Sequence, residues 1–258
     1  MTQPNRPLLI SIVQYMDELD AGRVTIFDII EAARQLGAAG VELRREAWPK
    51  MAEELAAARS RLQDLDLIVT YATFATLFSA EAEAEAILYQ DIDTAAALGA
   101  SLFRVFQGPA PADHDAAGWA KGQAVIDYAA NRQVTIALEN YARSPGGRLA
   151  EITRTLDRLP ALTTNIDFAN YAGHGQDIFE AIAAVGRRAS YAHLKDISES
   201  GDLTALGDGT LPVAEIMAAL DALPQPMLYC FEFRGGGDPA RRIKKSLDFL
   251  GQERKVAR

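Results

Sequence analysis

Short runs rich in β-branched and aromatic residues alternate eight times with longer Ala-, Glu- and Leu-rich runs, and this alternation constrains the fold more than any other feature of the chain. Such a pattern is that of successive βα units around a parallel sheet. The strand runs are 8–13 (LLISIV), 40–44 (GVELR), 67–71 (LIVTY), 101–106 (SLFRVF), 134–139 (VTIALE), 163–167 (TTNID), 190–195 (SYAHLK) and 227–233 (MLYCFEF). Helical spacing of apolar residues is clearest over 25–36, 51–63, 80–98 and 238–250. The acidic run Glu81, Glu83 and Glu85 reads as a solvated helix start, where negative charge meets the positive end of the helix dipole.

Parallel sheets are either open or closed. An open doubly wound sheet commonly carries a glycine-rich phosphate loop after its first strand, whereas QYMDELDAG follows here. Eight units in 258 residues match a barrel of about 250, so a single (β/α)8 TIM barrel over 1–258 is expected. No Pro-, Gly- or Ser-rich linker divides the chain.

In such a barrel the active site is built at the C-terminal ends of the strands. Glu139 closes strand five, Asp167 closes strand six, His193 lies in strand seven and Glu232 in strand eight. Side chains alternate across a strand, so Thr135, Ala137 and Glu139 face the axis while Val134, Ile136 and Leu138 face the helices. The same parity turns Asn165 with Asp167, Tyr191 with His193 and Lys195, and Cys230 with Glu232 and Arg234 inward. Three carboxylates and one imidazole brought together repel or neutralise one another unless a cation joins them. That donor set suits one divalent ion, Mn2+ or Mg2+ first, with Co2+ or Zn2+ as alternatives.

Other groups near strand ends are candidates for substrate contact. Glu42, Arg44, Arg104, Arg148, Asn170 and Arg234 are expected to ring the mouth, the guanidinium groups suiting carboxylate or phosphate. Gly146 and Gly147 before Arg148 offer a turn that presents N–H groups to an anion, although an ordinary turn has the same sequence. Lys195 is weighed equally as a catalytic group and as a surface lysine paired with Asp196. His114 and His174 fall in polar, turn-rich segments and are expected to be exposed. Cys230 is the single cysteine, expected to pack inside the barrel, and it excludes an intramolecular disulfide.

The formal net charge of −9 argues against a nucleic-acid partner. The opening MTQPNRPLLISIVQ lacks a basic segment followed by a long apolar one, and no run approaches the ~20 apolar residues of a membrane span. A cytoplasmic protein without a membrane partner is expected, its oligomeric state open and a homo-oligomer among the options.

The segments GAAGVELR, ALEN, NIDFAN, YAHLKD and GDGTLPV resemble motifs of the xylose isomerase-like TIM-barrel superfamily of sugar isomerases, epimerases and dehydratases, over nearly the whole length. The resemblance implies metal binding by Glu139, Asp167, His193 and Glu232. It implies proton exchange through an enediolate by Glu139 and Glu232, with Lys195 as a further catalytic group, on a small carbohydrate. VELRRE, ENYARSPGGR and FANY resemble isomerase-like proteins associated with 2-ketogluconate use. Asn170 stands where the ketose 3-epimerases carry His, a departure that weakens that assignment and leaves the metal set untouched. A dehydratase of the inosose or dehydroshikimate type is the alternative on the same scaffold, and a non-catalytic sugar-binding barrel is a third reading. The histidine-rich endonuclease of the superfamily is excluded, since only three histidines are present.

Overall fold

The computed structural model describes residues 6–256. The sequence reading of residues 1–5 and the outer ends of the expected 1–258 domain therefore lie outside the described residues. Eight parallel strands close into a barrel. They are β1 (Leu8–Ser11), β2 (Gly40–Arg44), β3 (Ile68–Thr76), β4 (Leu102–Phe106), β5 (Thr135–Glu139), β6 (Thr163–Asp167), β7 (Ala189–Leu194) and β10 (Leu228–Phe231). Each pairs with its sequence neighbour, and β10 closes the ring against β1 through Leu9↔Cys230. Two residues each from β8 (Asp196–Ile197) and β9 (Leu203–Thr204) make a small antiparallel hairpin after β7.

The helices that cover the barrel begin and end where local chemistry dictates. Among them are α1 (Met16–Asp20), α2 (Ile26–Gln35), α3 (Met51–Asp64), α4 (Ala82–Leu98) and α5 (Ala116–Ala130). Thr25 and Asp28 form a reciprocal capping box at the start of α2, and Gly99 ends α4 with a left-handed φ of 88°. Glu83 and Glu85 stand in the first turn of α4, as their sequence position predicts. Beyond α5 follow α6 (Leu149–Arg158), α7 (Phe168–Gly173), α8 (Ile178–Val185), α9 (Val213–Asp221) and α10 (Pro239–Val256).

Strand parity separates two cores. Ile10, Val41, Val69, Phe103, Ile136, Ile166 and Phe231 pack outward in the large cluster shared with the helices. Leu9, Leu102, Ala137, Tyr191 and Cys230 form a smaller cluster that fills the barrel. Gly40 belongs to the same inward row of β2, and a Cβ there would lie 1.9 Å from the Ile68 carbonyl oxygen. Above this apolar plug the inward positions turn polar: Ser11, Glu42, Thr70, Arg104, Asn165 and His193 are all fully buried. The plug supplies the floor of the site.

Strand boundaries differ from the sequence reading by more than one residue at three places. Ile12 begins a short 3-10 turn, so β1 ends at Ser11 rather than 13. β3 runs on to Thr76, past a register shift between Ala72 and Thr76. β10 stops at Phe231, leaving Glu232 one residue beyond the strand.

Candidate metal centre

Glu139, Asp167, His193 and Glu232 converge, and one ligand atom from each lies within 4.8 Å of the others. Glu139 is the last residue of β5, and Asp167 is both the last residue of β6 and the N-cap of α7, accepting from the Asn170 N–H at 3.0 Å. Register places His193 beside Asp167 on one side and Cys230 on the other. His193 Nδ1 stands 3.6 Å from Glu139 Oε2, 3.7 Å from Asp167 Oδ2 and 3.6 Å from Glu232 Oε2. That nitrogen is buried and has no hydrogen-bond partner among the described residues. An orphaned imidazole nitrogen facing three carboxylates fits a divalent cation with mixed oxygen and nitrogen ligands.

Glu42 holds the other face of the ring. It is fully buried, its Oε2 lies 2.8 Å from His193 Nε2, and it accepts from Tyr191 Oη at 3.1 Å and Ser11 Oγ at 2.9 Å. Thr70 Oγ1 and Tyr191 Oη share a hydrogen bond of 3.0 Å below it. Glu42 thus lies under the cluster and does not line the cavity above it, where the sequence reading placed it as a substrate contact.

Cations thread between the carboxylates. Arg104 Nε lies 2.9 Å from Glu139 Oε2, Lys195 Nζ lies 2.5 Å from Asp167 Oδ2, and both Lys195 and Arg44 pair with Glu232. Lys195 is buried and does not behave as a surface lysine paired with Asp196. Asp196 instead accepts from the backbone N–H groups of Ile197, Gly207, Gly209 and Leu211 and so pins the loop after β9.

These contacts set the protonation chemistry. Burial alone would raise Glu232, but Lys195, Arg44 and His193 outweigh it and hold the carboxyl well below its usual range. Burial raises Glu139, against the opposing pull of Arg104 and His193. Burial disfavours the charged form of His193, yet Glu42, Glu232 and Glu139 raise it to about 10. Cys230 also approaches Glu42 and His193, but burial pushes its thiol far up, which keeps it a packing group of the barrel plug.

A cavity of about 420 Å3 opens over the cluster. Its polar wall comprises Arg44, Arg104, Glu139, Asn170, Lys195 and Glu232, with Arg234 at the rim. Its apolar wall is a stack in which Phe74 lies 6.0 Å from Phe106, and Phe106 lies 5.5 Å from Tyr141. Leu203 of β9 also reaches the cavity. Among the described residues, a larger cleft of about 500 Å3, between Thr76–Phe78 and helices α4 and α5, holds no comparable set of converging ligands.

Asn170 donates to Glu139 Oε1 and to the Asn140 carbonyl, both at 3.1 Å. Arg234 is exposed and pairs with Asp17 at 3.1 Å. Arg148 is exposed and does not line the cavity, and its backbone N–H is already taken by Glu151 Oε2 at 3.2 Å. His114 is exposed, whereas His174 is half-buried with its ring edge-on to Tyr141. Sequence reasoning missed Asn140, whose amide exchanges two 2.8 Å hydrogen bonds with the backbone of Asp167 and fixes that ligand's strand end. Its signal was the polar residue directly after Glu139. The aromatic wall gave none.

A closed barrel with this cluster at the strand ends defines a class, and the sequence agrees with it: the chain belongs to the xylose isomerase-like TIM barrel family, whose profile matches residues 30–253. Solved structures of similar fold include a D-allulose 3-epimerase from Methylomonas sp. (TM-score 0.76, 20% identity, 97% of this chain and 98% of that one). An L-ribulose 3-epimerase is similar at TM-score 0.77 and 18% identity, covering 98% of this chain and 96% of that one. The probable 3-DHS dehydratase AsbF of Bacillus anthracis is similar at TM-score 0.75 and 16% identity, covering 95% and 98%. No curated protein matches the chain. Among the described residues, no helix is long and apolar enough to cross a membrane.

Proposed function

We propose that the chain is a divalent-metal-dependent isomerase or epimerase of a small carbohydrate, working by proton transfer between Glu139 and Glu232. One observation carries this reading: of the four clustered ligands, only Glu139 and Glu232 line the cavity, while Asp167 and His193 lie beneath it. Glu139, Asp167, His193 and Glu232 would hold the ion, which when bound would polarise a substrate carbonyl.

Abstraction of a proton beside a carbonyl needs one ionised and one protonated group on either side of the carbon. Glu232, held ionised by Lys195 and Arg44, is the base in the starting state. Burial raises the proton affinity of Glu139 relative to Glu232, which suits it to return a proton on the opposite face of the carbon. Asn170 Nδ2 donates to Glu139 Oε1 and fixes the orientation of that carboxyl. The aromatic wall of Phe74, Phe106 and Tyr141 keeps water from one side of the enediolate. Epimerases acting on D-allulose and L-ribulose share the fold, which supports a sugar substrate.

A dehydratase is the second reading, and the position of Lys195 favours it. Its ammonium lines the cavity next to Glu232, within reach of a leaving hydroxyl. Mn2+-loaded protein incubated in deuterated water with ketoses, sugar acids and cyclitols separates the two. Deuterium entering the carbon next to the carbonyl without loss of water supports the isomerase, and loss of water with a new enone absorbance supports the dehydratase. Protein that takes up no stoichiometric divalent ion after reconstitution would sink both.

A further inference from the structure

We infer that the substrate carries a carboxylate and that Arg104 is the residue that selects it. The inference rests on the functional reading above and deepens it. Arg104 lies on the inward row of β4, fully buried, with its guanidinium carbon 5.0 Å from the centre of the Phe106 ring. Its Nη1 donates to the Thr73 carbonyl at 2.8 Å and its Nε faces Glu139. Nη2 has no hydrogen-bond partner among the described residues, although Arg104 forms part of the cavity wall. A buried guanidinium N–H without a partner costs the full desolvation of that donor unless a ligand supplies an acceptor.

The charges of the site point to the same ligand. The buried carboxylates Glu42, Glu139, Asp167 and Glu232 face the buried cations Arg44, Arg104 and Lys195. With His193 neutral as a metal ligand, a divalent ion therefore leaves a single positive charge in excess. A neutral polyol would leave that excess buried and unmatched, whereas one anionic group would meet it. Arg44 Nε and Nη2 are committed to Glu42 and Glu232, whereas Arg104 Nη2 is buried with no hydrogen-bond partner among the described residues. A single excess charge is matched by a carboxylate, which carries one negative charge at neutral pH, better than by a phosphate monoester, which carries about −1.5 to −2. The substrate class is thus a polyhydroxy carboxylic acid, its hydroxylated carbons toward the ion and its carboxylate toward Arg104.

The test is isothermal titration of the Mn2+-loaded protein with three six-carbon probes: D-gluconate, D-glucitol and D-glucitol 6-phosphate. The expected result is gluconate binding at least about tenfold tighter than either other probe. Arg104→Lys, which keeps the charge but has no Nη2, is expected to lose that preference, which separates a role of Arg104 from simple chelation of the metal by the carboxylate. Equal affinity for glucitol, tighter binding of the phosphate, absence of gluconate binding, or an undiminished preference in the lysine variant overturns the inference. Metal content measured on the same samples distinguishes the failures: protein without the ion defeats the functional reading, and loaded protein without the preference defeats only the carboxylate.

Discussion

His193 and Glu42 are joined across the barrel at 2.8 Å, Nε2 to Oε2, and this contact leaves Nδ1 as the nitrogen that faces Glu139, Asp167 and Glu232. A carboxylate on the far nitrogen fixes the ring orientation and raises its basicity as a ligand. Glu42→Gln removes the charge while keeping the shape. Its affinity for Mn2+ is expected to fall by about 10- to 100-fold, with the circular dichroism spectrum unchanged. Titration of the apoprotein followed by electron paramagnetic resonance measures it, and wild-type affinity in the variant would show that Glu42 serves packing alone.

Glu139→Gln and Glu232→Gln each remove one of the two proposed proton carriers, both of which line the cavity. Loss of a positioned acid or base costs about 10^2- to 10^4-fold in rate. Both variants are expected to lose solvent deuterium exchange by that order while keeping the circular dichroism spectrum of the folded barrel, with a lower melting temperature because Arg104, or Arg44 and Lys195, lose a carboxylate partner. Near-normal exchange in both would end the two-glutamate mechanism.

The arrangement of these residues was legible in the sequence to the extent that it depends on parity and strand ends. Glu139, Asp167, His193 and Glu232 are recognisable because a barrel turns every second residue inward and places its chemistry at the C-terminal ends. What parity leaves open is height along the barrel axis. Glu42 and Arg44 share one inward row of β2, yet Glu42 is level with Ser11 and Thr70 beneath the cluster while Arg44 reaches the cavity. Which of the two is level with the ligands from β5, β6, β7 and the end of β10 is decided by the stagger between strands, a property of the closed sheet and not of any one segment. The loops carry less signal still. Phe74 and Tyr141 meet through Phe106 only because the ends of β3, β4 and β5 adjoin, and Arg148 points away because its loop folds back so that Gly146 packs on Gln107 and Gly108.

Lys195 offsets the repulsion between Asp167 and Glu232, both of which it touches. Removing one partner from a buried ionic group leaves uncompensated charge and costs about 3–5 kcal/mol. A divalent ion held by this group would compensate the same carboxylates. Lys195→Met is therefore expected to melt well below the wild type in chelator and to recover most of the loss in excess Mn2+. Differential scanning calorimetry with and without chelator gives the comparison, and an equal Mn2+-induced shift in both proteins would show that lysine and metal do not share these carboxylates.

Asp91 yields a prediction about pH that is independent of the site. Its carboxylate is 3% exposed on α4, and burial raises it from 3.8 to about 6 despite Arg45 at 3.2 Å. Between those values the folded chain holds a proton that the unfolded chain has released, so this group favours folding at acid pH. The contribution is complete below pH 3.8 and is lost as pH rises through about 6. Above that, the fold carries a buried charge costing about 3 kcal/mol relative to the protonated form, taking about 1.4 kcal/mol per unit. Asp91→Asn keeps the size of the side chain and removes the charge. The variant is expected to be more stable than wild type at pH 8 and to lose that advantage progressively as pH falls from 6 toward 4. Urea midpoints at pH 4.5, 6 and 8 report the difference, which subtracts every other titrating group common to the two proteins. A stability difference that stays constant across that range would mean that Arg45 neutralises Asp91 fully and that burial leaves no net penalty on its charge.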